Sequence, residues 1–318
     1  MLSDWQWQTL LAAAVDAAVG DPERLPHPVR WIGGLAVELE ALSRRLFGKR
    51  ERAAGTAATI AVYLAVLALA GLGLFVARAA GPFPAFLAET ALIYYSLAAR
   101  DLLDHAWRVY AALASGDLDA ARKAVARIVG RDTAGLDATG VAAAATESVA
   151  ESLADGVICP LFWAALLGPL GAVFYRTVNT LDSMFGHRDR RYREFGALAA
   201  RADDVVGCLP ARASALLLCA AGRLRRREIG GRAWSVWRRD HAKHASPNAG
   251  HPESAMAGLL GVELGGPVSY AGEAHDRPVL GIPGRKPAPA DIPAALGHCG
   301  IAYLIALGVI AILSRLHF

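Results

Sequence analysis

The sequence predicts an all-α, polytopic integral membrane protein with broken or re-entrant helices and ordered cytoplasmic loops. Three observations predict it. Of 318 residues, 54% are hydrophobic and only 19% are charged, against about 25% charged in a soluble globular domain. The mean hydropathy is +0.33. Two apolar runs, residues 56–79 and 294–313, each approach the ~20 residues that a helix needs to cross ~30 Å of hydrocarbon. The same composition excludes disorder, collagen, a coiled coil and a disulfide-stapled secreted module.

The elements follow in chain order. Trp5 and Trp7 open the chain with no basic n-region or small-residue cleavage site, and Asp16 interrupts the apolar stretch, so no cleaved signal peptide is expected. Residues 9–19 are too short to span alone. The segment Gly20-Asp21-Pro22 to Pro26-His27-Pro28-Val29-Arg30 follows. Its prolines fix φ and exclude helix, which places His27 and Arg30 on a stiff loop. Basic residues 44–52 precede the first span and belong on the cytoplasmic side. Residues 84–99 are of borderline length, expected to be interfacial, tilted or buried. Residues 115–131 turn polar and helical, with Gly116-Asp117 as the start signal.

Residues 137–175 form an Ala-rich run with carboxylates in its first half and a predicted break at Gly168-Pro169-Leu170-Gly171. Residues 179–204 are charged. Residues 205–221 are apolar between basic flanks and contain Pro210 and Arg212, which favours a re-entrant or core helix over a plain span. Residues 223–239 are basic, and residues 246–293, rich in Gly and Pro, predict loops around a short helix. No repeat divides the chain, so residues 1–318 are read as one domain. Cys159, Cys208, Cys219 and Cys299 lie apart with no C-x-x-C pair and read as packing residues. The net charge of +4 is clustered where loops should be, so nucleic acid is not the first inference.

Four constellations carry candidate chemistry. Glu147, Glu151 and Asp155 are four residues apart; each step turns a helix by only about 40°, so the acids share one stripe. Such a stripe either faces an aqueous cleft or demands a cation, an arginine or a bound metal. His27 is a candidate proton shuttle or a residue bonded to backbone, and Arg30 a candidate anion clamp. Asn179, Asp182 and Ser183, with Asp203-Asp204 beyond them, offer hard oxygen ligands suited to Mg²⁺, and Arg188 stands beside them as a cation. In Ser246-Pro247-Asn248-Ala249-Gly250-His251-Pro252-Glu253, Pro252 fits the first helical position and the loop before it offers N–H groups to a phosphate. No P-loop, G-x-S-x-G or H-E-x-x-H occurs.

The segments GDPERLPHPVRWIG, GRDT, ESVAESLADGVICPLFW, YRTVNTLDSMFGHRDRRYREFG, ARADDVVGCLPARASA and SPNAGHPESAMAGLLGVELGG, in this order, resemble the CobD/CbiB family, the adenosylcobinamide-phosphate synthases of cobalamin biosynthesis. The resemblance runs from about residue 16 to about residue 272. It implies a multi-pass enzyme of the cytoplasmic (inner) membrane. The implied reaction joins the ring D propionate of adenosylcobyric acid to aminopropanol, or its O-phosphate, through an amide bond, with ATP as co-substrate.

A carboxylate and an ammonium do not condense in water, so an acyl phosphate and a base for the amine are required. On this resemblance Glu147, Glu151, Asp155, Asp182 and His27 are the catalytic candidates, with His27 or Glu151 as the base. Glu147, Asp155 and Asp182 would hold Mg²⁺. Asp21, Arg30, Asn179, Arg188, Asp204, Arg212, Ser246 and Asn248 would bind substrate or phosphate. His187 stands where the family more often has an aromatic residue and Ser152 where Asn is frequent, which touches specificity rather than reaction type. Implied partners are the corrinoid, the amine and the bilayer, with other late cobalamin-assembly enzymes and a second copy of the chain as further candidates, and no nucleic acid. The alternatives are a corrinoid-binding membrane transporter and a non-catalytic scaffold of the same fold.

Overall fold

The computed structural model describes residues 5–21, 27–187, 189–270 and 272–315. Helices come first: α1 (Trp5–Val19), α2 (Pro28–Phe47), α3 (Glu51–Ala80), α4 (Pro82–Tyr94), α5 (Ala99–Ala114), α6 (Leu118–Val125) and α7 (Ala138–Leu153). A π-helical turn at Ala154–Ile158 leads into α8 (Cys159–Phe185), α9 (Ala197–Val206), α10 (Cys208–Arg225), α11 (Arg227–Asp240) and α12 (Gly250–Leu260). Four short strands, β1 (Glu263–Gly265), β2 (Val268–Tyr270), β3 (Glu273–His275) and β4 (Val279–Gly281), precede α13 (Asp291–Arg315). The fold is helical as expected, with two small ribbons added: β1 pairs antiparallel with β4, and β2 with β3. Strands of three residues are too short to carry an alternating apolar pattern.

Among the described residues, three helical runs are long and apolar enough to cross a membrane: Glu51–Ala80, Ala138–Phe185 and Asp291–Arg315. Helices α9 and α10, separated by a break at Gly207, add a fourth if they form one span. The apolar windows of α3 and α13 are only 11% and 22% buried, against 61% for Ala138–Phe185. The first two therefore present apolar faces such as Leu64, Leu69, Leu72 and Phe75 to their surroundings, which suits hydrocarbon rather than water.

The chain forms two compact units. One comprises Met1–Ala98, Cys159–Gly207 and Ile310–Phe318. Its core joins Ile32 and Ala36 of α2, Ala54, Ala58 and Val62 of α3, Leu181 and Phe185 of α8, and Phe195. Gly55 is required by close approach: a Cβ there would stand 1.8 Å from the Phe195 carbonyl oxygen. Within α8 the predicted break is present, with Gly168 at φ 68° followed by Pro169. Only glycine adopts that φ cheaply, and proline removes a helical N–H.

The other unit comprises Ala99–Ile158 and Cys208–Val309. Asp117 caps α6, accepting the Ala120 N–H at 2.9 Å, as the Gly116-Asp117 signal predicts. Asp137 caps α7, accepting the Gly140 N–H at 2.7 Å. At the other end of α12, Arg232 of α11 donates to the carbonyls of Gly258 and Leu259 at 2.6 and 2.7 Å, satisfying acceptors that a helix end leaves open. Asp240, fully buried, accepts the Gly281 N–H at 2.8 Å and Lys243 at 2.6 Å, and so fastens β4 to the end of α11.

Candidate functional site

Among the described residues, ionisable side chains converge in the second unit around Glu147. This carboxylate is 2% exposed. It is paired with Arg131, lies 3.2 Å from Nη1 of Arg277, and accepts the Gly265 N–H at 2.7 Å. Arg131 is held near α7 because Ser148 donates to the Ile128 carbonyl at 2.8 Å. Arg277 sits between β3 and β4, on ribbons that Asp132 clasps: its N–H donates to the Ser269 carbonyl at 2.8 Å, and its carboxylate accepts Ser269 Oγ at 2.6 Å and the Gly272 N–H at 2.8 Å.

Glu253 of α12, also 2% exposed, completes the cluster. Its Oε2 lies 3.5 Å from Arg277 Nη2, and its Oε1 lies 3.7 Å from His244 Nε2, which itself meets Arg277 at 3.0 Å. Burial, and then the Glu147 and Glu151 carboxylates, push the Glu253 carboxyl well above the usual range; Arg277 and Arg131 only partly oppose this. Arg277 is held in its charged form: burial opposes the charge, but Glu147 and Glu253 outweigh it. The result is a water-poor site with two cations, one committed carboxylate and one carboxyl able to exchange a proton. It can hold an anion and move a proton beside it.

The acidic stripe is only partly as expected. Glu147 and Glu151 share α7, but the π turn begins at Ala154, so Asp155 falls in a widened turn and leaves the regular progression. Glu147 is buried, Glu151 exposed and Asp155 half-buried. Of the sequence alternatives for Glu147, the arginine is the one present.

Other predicted residues have local roles. Arg30 is not on a loop: Pro28 opens α2 and Arg30 is exposed in its first turn, while His27 caps the helix, Nδ1 accepting the Val29 N–H at 3.2 Å, which is the backbone-bonded alternative; residues 22–26 of that segment lie outside the described residues. Asp21 Oδ2 lies 3.1 Å from His27 Nε2. The loop N–H groups expected to face a phosphate are occupied: Ser246 Oγ accepts those of Asn248 and Ala249 at 3.3 and 3.2 Å, and Pro252 is the third residue of α12, not the first. Arg212 donates to the Cys208 carbonyl at 2.6 Å. Asn179, Asp182 and Asp204 belong to the first unit, where Asp182 has Asp204 and His187 as its charged neighbours. Arg188 lies outside the described residues. Among the described residues no group of three or more His, Cys, Asp or Glu side chains is placed to hold a metal ion.

The first unit also carries a cavity of about 390 Å³, lined by Trp31, Leu35, Val66, Leu69, Tyr95 and Arg176 among others. Beside its core, Glu40 accepts Arg44 and Arg191 at 2.9 Å each and Tyr192 at 3.2 Å, and the Arg44 guanidinium covers the Phe195 ring at 4.2 Å. The RRYREFG segment is thereby pinned to α2.

Comparison with known proteins decides the family, for the family described as CobD/Cbib protein matches residues 9–299. The chain belongs to the CobD/CbiB family. Relatives named cobalamin biosynthesis protein CobD include those of Rhodobacter capsulatus, 40% identical over 311 residues, and Photorhabdus laumondii, 40% identical over 307 residues. That of Clostridium perfringens is 34% identical over 309 residues, and in all three the alignment covers 96% of both chains. No solved structure matches.

Three members of the cluster were missed as site residues in the sequence reading of this CobD/CbiB chain. Arg131 lies in the quoted GRDT segment, and Glu253 is a lone acid in the otherwise uncharged stretch 244–262 apart from its histidines, the same signal that singled out Glu147. Arg277, in a polar loop 130 residues from its partner, carries no local signal at all.

Proposed function

We propose that this chain makes an amide bond in cobalamin biosynthesis, joining the ring D propionate of adenosylcobyric acid to aminopropanol or its O-phosphate at the cytoplasmic membrane. ATP activates the acid. The propionate oxygen attacks the γ-phosphoryl group and ADP leaves; the amine nitrogen then attacks the acyl carbon, the C–N bond forms, the bond to phosphate oxygen breaks, and a base takes the amine proton. The observation that carries this reading is the cluster of buried Glu147 and Glu253 with half-buried Arg131 and Arg277, three of whose members lie in the segments GRDT, ESVAESLADG and GHPES.

In this reading Arg131 and Arg277 stabilise the negative charge that develops on the phosphoryl and acyl oxygens, where low dielectric strengthens each contact. Glu147 is a positioning residue: its oxygens hold both arginines. Glu253 is the leading candidate for the amine's base, because burial beside Glu147 and Glu151 raises its carboxyl above the usual carboxylate range and so makes it a stronger proton acceptor. Glu151, exposed one turn beyond Glu147, is the second candidate. His27 is less suited, since its Nδ1 is committed to the α2 cap.

Glu147, Asp155 and Asp182 do not fit as a Mg²⁺ set, because Glu147 is already neutralised by arginine, so no step is assigned to a metal held by them. The phosphate and substrate roles of Asp21, Arg30, Asn179, Arg188, Asp204, Arg212, Ser246 and Asn248 stay part of the proposal. The test is isotopic: with ¹⁸O in the propionate, the acyl-phosphate route transfers one label to inorganic phosphate. Product formation with unlabelled phosphate overturns that route.

A further inference from the structure

Between Arg223 and Arg239 the only acidic residue is Glu228. Arg223, Arg225, Arg226, Arg227 and Arg238 are all exposed. Among the described residues, Arg232 caps α12 and Arg239 pairs with Asp240, whereas no ion pair engages those five. Apolar side chains interleave with them: Leu224 is 72% and Trp234 40% exposed, and the Arg238 guanidinium lies 6.0 Å from the Trp234 ring centre. A solvated cationic face has no use for an exposed Leu and Trp. A membrane interface does, since Trp settles at headgroup depth and arginine there meets lipid phosphate.

One contact places this face. Arg225 packs against Gly297 of α13, its Nη2 standing 2.5 Å from where a Cβ would be. Gly297 is six residues into a 25-residue helix, about 9 Å along its axis. At about 37 Å that helix exceeds the ~30 Å of hydrocarbon, so its first turns lie at the edge of the apolar layer. We infer that Arg223, Arg225, Arg226, Arg227 and Arg238, with Leu224 and Trp234, form a headgroup-binding surface for anionic phospholipid. The inference rests on α13 crossing the membrane and is independent of the proposed reaction. Its charge complementarity selects an anionic lipid over a zwitterionic one.

The test uses the purified full chain in micelles containing phosphatidylglycerol and phosphatidylcholine, with retained lipid counted by native mass spectrometry. Phosphatidylglycerol is expected to be retained in preference, each arginine removed weakening that preference about five-fold. The variant R223Q/R225Q/R226Q/R227Q/R238Q should lose it, and the matching all-lysine variant should keep it. Circular dichroism confirms that both fold. Equal retention of the two lipids, an unchanged preference in the glutamine variant, or displacement of the lipid by inorganic phosphate would overturn the surface as a lipid site. Alkaline carbonate extraction tests the crossing separately: release of the wild-type chain would overturn the placement of α13.

Discussion

The guanidinium of Arg277 lies 3.2 Å from the carboxylate of Glu147, across 130 residues of sequence. This pair closes the β-ribbons over α7 and sets the charge around Glu253. Buried pairs contribute little net stability against well-packed apolar residues, yet they are costly to halve. Both halves of that rule bear on the site.

Replacing Arg277 by Met should therefore destabilise the second unit by about 3–5 kcal/mol, because it strands Glu147 and Glu253 with one cation between them. The double variant R277M/E147L should recover much of the loss. Thermal unfolding in detergent, followed by circular dichroism, compares the two. Equal destabilisation in single and double variants would show that the pair is not coupled.

Glu253→Gln separates chemistry from stability. The Glu253 carboxyl is raised first by burial, so its stabilising contribution is complete at low pH and lost as pH rises through its folded value. At pH 8 the amide variant should be at least as stable as wild type. Turnover should nevertheless fall about 10²–10⁴-fold, the usual cost of losing a general base. Turnover near the wild-type rate would remove Glu253 from the reaction and leave Glu151 as the base.

His251 gives a pH effect of opposite sense. It is 4% exposed, its Nδ1 accepts the Trp237 indole N–H at 2.8 Å, and burial, followed by Arg212 and His241, pushes it down to about 4. A depressed imidazole is stabilising while neutral, and stability declines as pH falls from about 6.5 through about 4. The full decline is roughly 3 kcal/mol. Melting temperature against pH should fall over that window in wild type and fall less in H251Q; parallel profiles would contradict the assignment.

Two glycines on α3 make a matched test of close approach. A Cβ at Gly55 would strike the Phe195 carbonyl at 1.8 Å, whereas at Gly73 it meets nothing within 4 Å. Gly55→Ala should cost about 1–3 kcal/mol by overpacking, and Gly73→Ala should be neutral or stabilising. Comparable melting temperatures for the two variants would refute the contact.

The parts of the fold legible in the sequence are those set by local physics. Helices α3 and α13 announce themselves by apolar length, Gly168-Pro169 by its break, and Asp117 by its cap. The π turn at Ala154–Ile158 and the three-residue strands leave no periodic trace. The site divides the same way. An acid in an apolar helix marks Glu147 and, by the same logic, Glu253, but only tertiary packing makes Glu147 buried and Glu151 exposed one turn apart. His27 illustrates the reverse: a chemically suggestive residue whose ring nitrogen is used by its own helix.

The most direct measurement is mass spectrometry of products from the purified chain given adenosylcobyric acid, ATP, Mg²⁺ and either aminopropanol or its O-phosphate. The expected result is an amide product with one of the two amines, absent without ATP and formed about 10²–10⁴-fold more slowly by E253Q. Unchanged adenosylcobyric acid with both amines, from protein that is folded and membrane-extracted, would contradict the proposed reaction.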